Sequence, residues 1–417
     1  FFAERQASKV PGLARDATLQ SIDSVAIIGA GTMGGGIAMN FANVGIPVKI
    51  LEMNDEALEK GLGVIKKNYA ATARKGRLSE AEVEERMALL TGTTDYNELS
   101  DADLVIEAVF ENMDVKKEVF KTLSNTVRPD TILASNTSYL NIDELASVVE
   151  KPERMLGMHF FSPANVMRLL EIVRAEKTSP DVLATILKLA KTINKVGAVA
   201  GVCHGFIGNR MLSGYASQAN RLLLEGAAPH QLDKVLYDFG MPMGVIAMAD
   251  LAGLDIGYRM RQALDETQYD VESAYLYDNL VEMGRLGQKT GAGVYDYEPG
   301  DRNPKPSSVT ARLLAEAAEK FNIKQREINE EEIIERCFFS LFNVGCNILH
   351  EGMAYRASDI DTVYINGYGF PAWRGGPMHW AEHAVGLKKI LNRIREFADS
   401  HGDKYWKPSP LLEQLVA

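Results

Sequence analysis

The chain is 417 residues long, 46% hydrophobic and 24% charged, with a formal net charge of −11. These are ordinary globular values for two or three domains, without an apolar run long enough to span a membrane, and the acidic balance argues against nucleic acid as a partner. Three cysteines, Cys203, Cys337 and Cys346, are an odd number without metal-ligand spacing, so neither a disulfide framework nor a metal site is expected, and the compartment should be reducing.

Residues 1–20 read as a helix end plus a linker, broken at Pro11-Gly12, that belongs to no domain in this chain and follows an absent one. The first residue is Phe1 and no signal peptide opens the chain. Residues 21–203 carry the pattern of a dinucleotide-binding domain. The apolar run Val25–Ile28 predicts a buried strand and leads into Gly29-Ala30-Gly31-Thr32-Met33-Gly34, a G-x-G-x-x-G turn. A helical pattern (Ile37, Phe41, Val44) stops at Gly45, a second strand spans Val48–Leu51, and Glu52 stands at its end. In that context Gly29 permits the tight turn, Gly31 lets backbone approach a pyrophosphate, and Gly34 lets helix pack on strand. Thr32 and Met33 open the helix whose N–H groups face the phosphates. A carboxylate at position 52 accepts ribose hydroxyls and repels a 2′-phosphate, and Met53, Asn54 and Asp55 supply no arginine, so the predicted cofactor is NAD rather than NADP.

From Lys60 to Leu78 the chain carries Lys60, Lys66, Lys67, Arg74, Lys75 and Arg77 and no acid. Such a patch suits a polyanionic substrate arm such as the phosphates of coenzyme A, with Lys66 and Lys67 as candidates; a solvated helix face is the alternative. Further strands are predicted over 104–109, 131–135 and 156–161, with a strand or short apolar segment over 167–173. They deliver Glu111, Lys116, Asn136 and Ser138 to the rim where ligands bind in doubly wound sheets.

From Gly205 the pattern is helical. Residues 204–300 read as a helical domain closed by the motif Gly287–Tyr295, 301–328 as linker and helix, and 329–417 as a second helical domain opened by Asn329 and three glutamates. The two domains look like copies. Leu224-Glu225-Gly226 matches His350-Glu351-Gly352, Leu232-Asp233 matches Ile360-Asp361, and Phe239-Gly-Met-Pro242 matches Tyr368-Gly-Phe-Pro371. The second copy lacks the Gly205-Phe-Ile-Gly-Asn-Arg210 opening, so a structural role is expected for it.

Oxidising an alcohol with NAD needs a base for the hydroxyl proton. Of seven histidines, only His159 lies at a strand end of the dinucleotide fold, with Glu171 on a segment able to fold back beside it. A His–Glu pair is a proton-transfer unit, although a histidine in an apolar stretch is more often a satisfied core residue. There is no G-x-S-x-G for a hydrolase and no H-E-x-x-H for a metal enzyme.

His159-Phe-Phe-Ser-Pro163, Ser135-Asn-Thr-Ser138, Gly205–Arg210 and Gly287–Tyr295 together resemble the L-3-hydroxyacyl-CoA dehydrogenase family, over roughly residues 21–417. The N-terminal linker and the duplicated helical segment resemble the multifunctional β-oxidation enzymes, in which an enoyl-CoA hydratase domain, a lyase, precedes the dehydrogenase on one polypeptide. The resemblance implies an α/β Rossmann-like sheet followed by two repeated all-α domains, and NAD-dependent oxidation of (3S)-3-hydroxyacyl-CoA to 3-oxoacyl-CoA in fatty-acid β-oxidation. It implies His159 as general acid/base, Glu171 as its orienting partner, and Ser138 and Asn209 on the substrate's 3-oxygen and thioester region. Glu52 would take the adenine ribose, and Glu111, Lys116 and Asn136 the nicotinamide side. Many single-function members have asparagine where this chain has Ser162, and the basic stretch does not match the family's CoA contacts residue for residue. Single-function members dimerise through the helical domain; here the second copy is expected to replace the partner and leave a monomer. Gln-Leu-Val-Ala at the C-terminus is no peroxisomal address, so the expected location is cytoplasmic, of bacterial type. The competing expectation is an inactive CoA/NAD-binding module of the same fold.

Overall fold

The computed structural model describes residues 2–13, 17–262, 264, 265, 267 and 269–417. By packing they fall into two compact units, residues 1–210 with 348–368, and residues 211–347 with 369–417.

The first unit is built on an eight-stranded sheet in the order β3-β2-β1-β4-β5-β6-β7-β8. The strands are β1 (Val25–Ile28), β2 (Val48–Leu51), β3 (Leu90–Thr93), β4 (Leu104–Glu107), β5 (Ile132–Ser135), β6 (Met155–Phe160), β7 (Leu169–Arg174) and β8 (Val196–Gly201). β1, β4 and β5 are buried along their whole length, which is why they read as unbroken apolar runs rather than alternating ones. From β1 the chain moves outward to β2 and β3, then returns to place β4 on the other side of β1. That reversal opens a crevice at the carboxyl ends of β1 and β4. All neighbouring strands are parallel except β6 and β7, whose antiparallel register sets His159 opposite Glu171.

At the first turn Gly29 adopts φ +101°, and a Cβ on Gly34 would stand 1.9 Å from the carbonyl oxygen of Gly29. Both glycines are therefore demanded by the chain itself. The helix Thr32–Ala42 follows and buries Ile37, Ala38 and Phe41. The helix Asp55–Arg74 starts at Asn54, whose side chain caps Ala57 N–H, and buries Leu58, Gly61, Ile65 and Tyr69 at helical spacing. All six cations of the basic stretch lie on its exposed side or just beyond it.

The N-terminal segment departs from expectation. Residues 2–7 form a helix packed on the helix Ala357–Gly367 of the first unit. Ala7 and Val10 are buried, and Arg356 donates to the carbonyls of Gln6 and Lys9. Thr18 and Gln20 are tied to Asp181 and Thr185. The stretch expected to belong to no domain is thus docked in this one; Phe1 and residues 14–16 of that expectation lie outside the described residues. The physical reason is that one buried side chain of the helix, Ala7, with Val10 just beyond it and the Arg356 contacts, seats the short segment.

The second unit is helical. Its motif 287–295 is a clasp. Asp250 accepts the N–H groups of Val294 and Tyr295 and the hydroxyl of Tyr297, at 2.8–2.9 Å. Tyr295 donates to Asp233 at 2.8 Å, and Asp233 accepts Ile246 and Ala247 N–H at the start of the helix Val245–Ala252. Burial pushes both aspartate carboxyls above their ordinary range. A Cβ on Gly293 would meet the Asp250 carboxylate at 2.0 Å, so the motif's glycine is there to let this carboxylate in.

The helices Gly208–Glu225 and Glu330–His350 are corresponding elements of the two copies. Arg336 pairs with Glu225 at 2.6 Å, and Arg210 pairs with Glu351 at 2.6 Å, the same contact with the copies exchanged. Among the described residues, Glu225, Glu332 and His401 form one carboxylate–imidazole group with metal-like spacing. Arg326 and Arg336 already match its charge, so it reads as an ion-pair network.

Candidate active site

β6 delivers His159 to the sheet's carboxyl edge, 4% exposed. Its Nδ1 lies 2.7 Å from Oε2 of Glu171, which is fully buried. The other oxygen of Glu171 accepts Ile207 N–H at 3.1 Å and Gly208 N–H at 3.0 Å, at the start of the helix Gly208–Glu225. Gly205 and Phe206 both take left-handed backbone, at φ 74° and 50°, to turn these N–H groups toward the carboxylate. With Oε1 taken by two backbone donors, Oε2 is the acceptor that faces the ring, so Nδ1 carries the hydrogen toward it. Nε2 is then the lone-pair end of the ring. Phe161 and Phe206 flank the imidazole, with ring centroids at 4.4 and 5.7 Å.

A second cluster fixes the loop after β5. Glu107, at the last position of β4 and fully buried, accepts Lys116 Nζ at 2.6 Å and Ser135 Oγ at 2.7 Å. Lys116 is also 3.3 Å from Glu111. Glu111 in turn accepts Thr137 Oγ1 at 2.6 Å, Ser138 N–H at 2.9 Å and Tyr139 N–H at 3.2 Å. Asn136 accepts Phe160 N–H at 2.9 Å, tying the loop to the strand end beside His159. Burying a lysine is tolerable only with such neighbours.

The sequence expectations thus meet in one unit: Glu111, Lys116 and Ser138 share one network, and His159, Glu171 and the helix start bearing Asn209 share another. Lys66 and Lys67 stand exposed on the helix Asp55–Arg74, and among the described residues no contact joins them to His159. Glu107 was missed; a single acid ending an apolar run was its only signal. Tyr368 was missed as well. It lies in the copy expected to be structural, yet its hydroxyl donates to Asn209 Oδ1 at 2.7 Å.

The nucleotide end fits NAD. The N-cap of the helix Thr32–Ala42 is Gly31, which has no side chain to occupy the first N–H groups. A Cβ on Gly31 would meet nothing within 4 Å, so the protein itself does not demand that glycine, whereas an approaching phosphate would. Glu52 accepts Ala30 N–H at 2.7 Å and Met53 N–H at 3.0 Å, beside the turn.

Residues 24–203 match the family model for the 3-hydroxyacyl-CoA dehydrogenase NAD binding domain, and residues 205–297 and 333–417 match that for the C-terminal domain. The chain belongs to the 3-hydroxyacyl-CoA dehydrogenase family. Residues 24–203 are thus its NAD binding domain, for the cofactor that the glycine-rich turn and Glu52 led one to expect. It is similar to the peroxisomal bifunctional enzyme of Danio rerio, 44% identical over 435 residues, covering 100% of this chain and 60% of the relative. It is also similar to two solved structures. The 3-hydroxybutyryl-CoA dehydrogenase of Escherichia coli superposes with a TM-score of 0.81 at 27% identity, covering 95% of this chain and 98% of that one. The dehydrogenase part of multifunctional enzyme 1 from C. elegans gives a TM-score of 0.72 at 28% identity, covering 99% and 96%. The chain spans about three fifths of the length of the curated relatives it matches. One expectation is overturned: those relatives are named peroxisomal or glyoxysomal, so the bacterial-type cytoplasmic location does not stand. The C-terminal residues read for an address bear on sorting and not on the fold, so nothing in the folding pattern could have corrected that reading.

Proposed function

We propose that His159 is the general base for oxidation of a (3S)-3-hydroxyacyl-CoA to the 3-oxoacyl-CoA, within fatty-acid β-oxidation. The observation that carries this is the His159–Glu171 contact of 2.7 Å, with the far oxygen of Glu171 held by two backbone N–H groups. His159 Nε2 takes the 3-hydroxyl proton, and Glu171 stabilises the imidazolium that forms. Bound NAD supplies the acceptor for the hydride that leaves C3. Ser138 and Asn209 bind the 3-oxygen and thioester region, as donors to charge that builds on oxygen. Gly29, Gly31, Thr32, Met33 and Gly34 cradle the pyrophosphate, and Glu52 takes the adenine ribose through lone pairs beyond those used by Ala30 and Met53. Glu111, Lys116 and Asn136 shape the nicotinamide side, mainly by holding the 135–139 loop. Lys66 and Lys67 meet the phosphates of coenzyme A from the exposed face of their helix.

The test is His159→Gln, which should lower turnover of 3-oxoacyl-CoA with NADH by about 10²–10⁴-fold while NADH still binds. Near-normal turnover would remove His159 from the role. If the intact chain bound NADH tightly but turned nothing over, the inactive-module reading would take its place.

The relatives' extra length supports a longer polypeptide in which an enoyl-CoA hydratase part precedes residue 1, in a peroxisomal enzyme. A hydratase assay on the protein purified from its source, with mass determination, decides it. The exchanged Arg–Glu contacts of the two copies support a monomer in which the second copy stands in for a partner subunit. Light scattering that gives twice the chain mass would overturn that.

A further inference from the structure

The second helical copy was expected to be structural, yet its residue Tyr368 touches Asn209 of the first copy. Tyr368 follows the helix Ala357–Gly367, and its hydroxyl donates to Asn209 Oδ1 at 2.7 Å. Its own placement is heavily determined. Tyr364, one turn earlier, stacks on it with centroids 4.8 Å apart and donates to the carbonyl of Gly208 at 3.1 Å. Phe161 meets it edge-on at 5.5 Å, and Phe161 is the ring that lies against His159. Gly208 is part of the same fit, since a Cβ there would stand 2.4 Å from the Tyr368 ring. Burial, with the Glu171 charge second, pushes the Tyr368 hydroxyl well above the usual phenol range, so it is a permanent donor.

An asparagine amide presents an acceptor at one end and donors at the other, and what it contacts decides which way it faces. In the structure the Tyr368 hydroxyl donates to Asn209 Oδ1, so the Asn209 –NH₂ end is turned away from Tyr368. We propose that Tyr368 is a positioning residue that fixes the Asn209 amide with its –NH₂ as the donor toward the substrate's oxygen. This deepens the reading above and rests on Asn209 contacting substrate. It also gives the second copy a part in the chemistry, through a residue far from the motif region in sequence.

The experiment is a double-mutant cycle on the whole chain, with 3-hydroxybutyryl-CoA and NAD as substrates. Tyr368→Phe keeps the ring against Gly208, Phe161 and Tyr364 and removes only the hydroxyl. It should lower kcat about 10-fold, the worth of one neutral hydrogen bond in a transition state, with NADH affinity by fluorescence unchanged. In an Asn209→Ala background the same substitution should change kcat by less than about twofold, because there is no amide left to orient. A full kcat for Tyr368→Phe, or an equal loss in both backgrounds, overturns the proposal while leaving Asn209 in place. If Asn209→Ala alone keeps full kcat, the substrate role of Asn209 fails first, and that of Tyr368 falls with it. A merely structural tyrosine would lower NADH affinity and thermal stability alongside kcat and would not give the coupled pattern.

Discussion

Arg336–Glu225 and Arg210–Glu351 are one contact made twice, and their surroundings differ sharply. Arg336 is 1% exposed and Glu225 7%, and Gln218 and Arg326 complete the network around them. Arg210 and Glu351 are 25% and 44% exposed. A buried pair is costly to break because the survivor stays charged and dry, whereas an exposed pair is nearly matched by water. The arginine beside Asn209 in sequence lies next to the helix start that anchors Glu171 and is partly open to solvent, whereas the other copy is sealed into a core. Duplication has thus left one contact as architecture and freed the other.

Breaking the two contacts in turn should expose this asymmetry. Arg336→Ala strands Glu225 in a dry site and should lower unfolding free energy by about 3 kcal/mol, Arg326 sparing part of the larger loss, as read by urea denaturation. Gly208→Ala drives a methyl into the Tyr368 ring and should cost about 1–3 kcal/mol while also lowering turnover; an alanine variant with wild-type turnover would show that the ring moves aside freely. Arg210→Ala should cost no more than about 1 kcal/mol. Acid titration sharpens the last case. Arg210 holds the Glu351 carboxyl below its ordinary range, and the arginines do the same for Glu225 against the opposing effect of burial. A depressed carboxyl stabilises the fold above its unfolded value and loses that contribution as pH falls through the folded one. Melting temperature should therefore decline below about pH 4.5 in the parent chain, and more of that decline should vanish in Arg336→Ala than in Arg210→Ala.

The dinucleotide half was legible because its constraints are local. A strand, a tight turn, a helix and an acid occupy about thirty consecutive residues, and each glycine answers to a near neighbour or to a ligand. His159 and Glu171 were legible as a pair because two short strands with a brief connection can pair only antiparallel. Glu107 was not, since one acid at the end of an apolar run says nothing of the lysine that will find it. The role of Tyr368 was hidden because its partner lies in the other copy, and repeats invite the assumption that only the copy with the motif does the work. The motif Gly287–Tyr295 was visible as a motif, but that its glycine makes room for the Asp250 carboxylate required the three-dimensional contact. The N-terminal helix is too short for its periodicity to announce where it docks.

Glu52 has a second employment that bears on how the enzyme can change. Its two oxygens hold Ala30 N–H and Met53 N–H, so the group proposed to discriminate between nicotinamide cofactors also pins the glycine-rich turn. A lineage drifting toward the phosphorylated cofactor would have to discard this carboxylate and would loosen its own phosphate loop in the same step. With Glu52 in the role proposed for it, cofactor choice and loop rigidity would be inherited together, and a single substitution that improved the one would spoil the other.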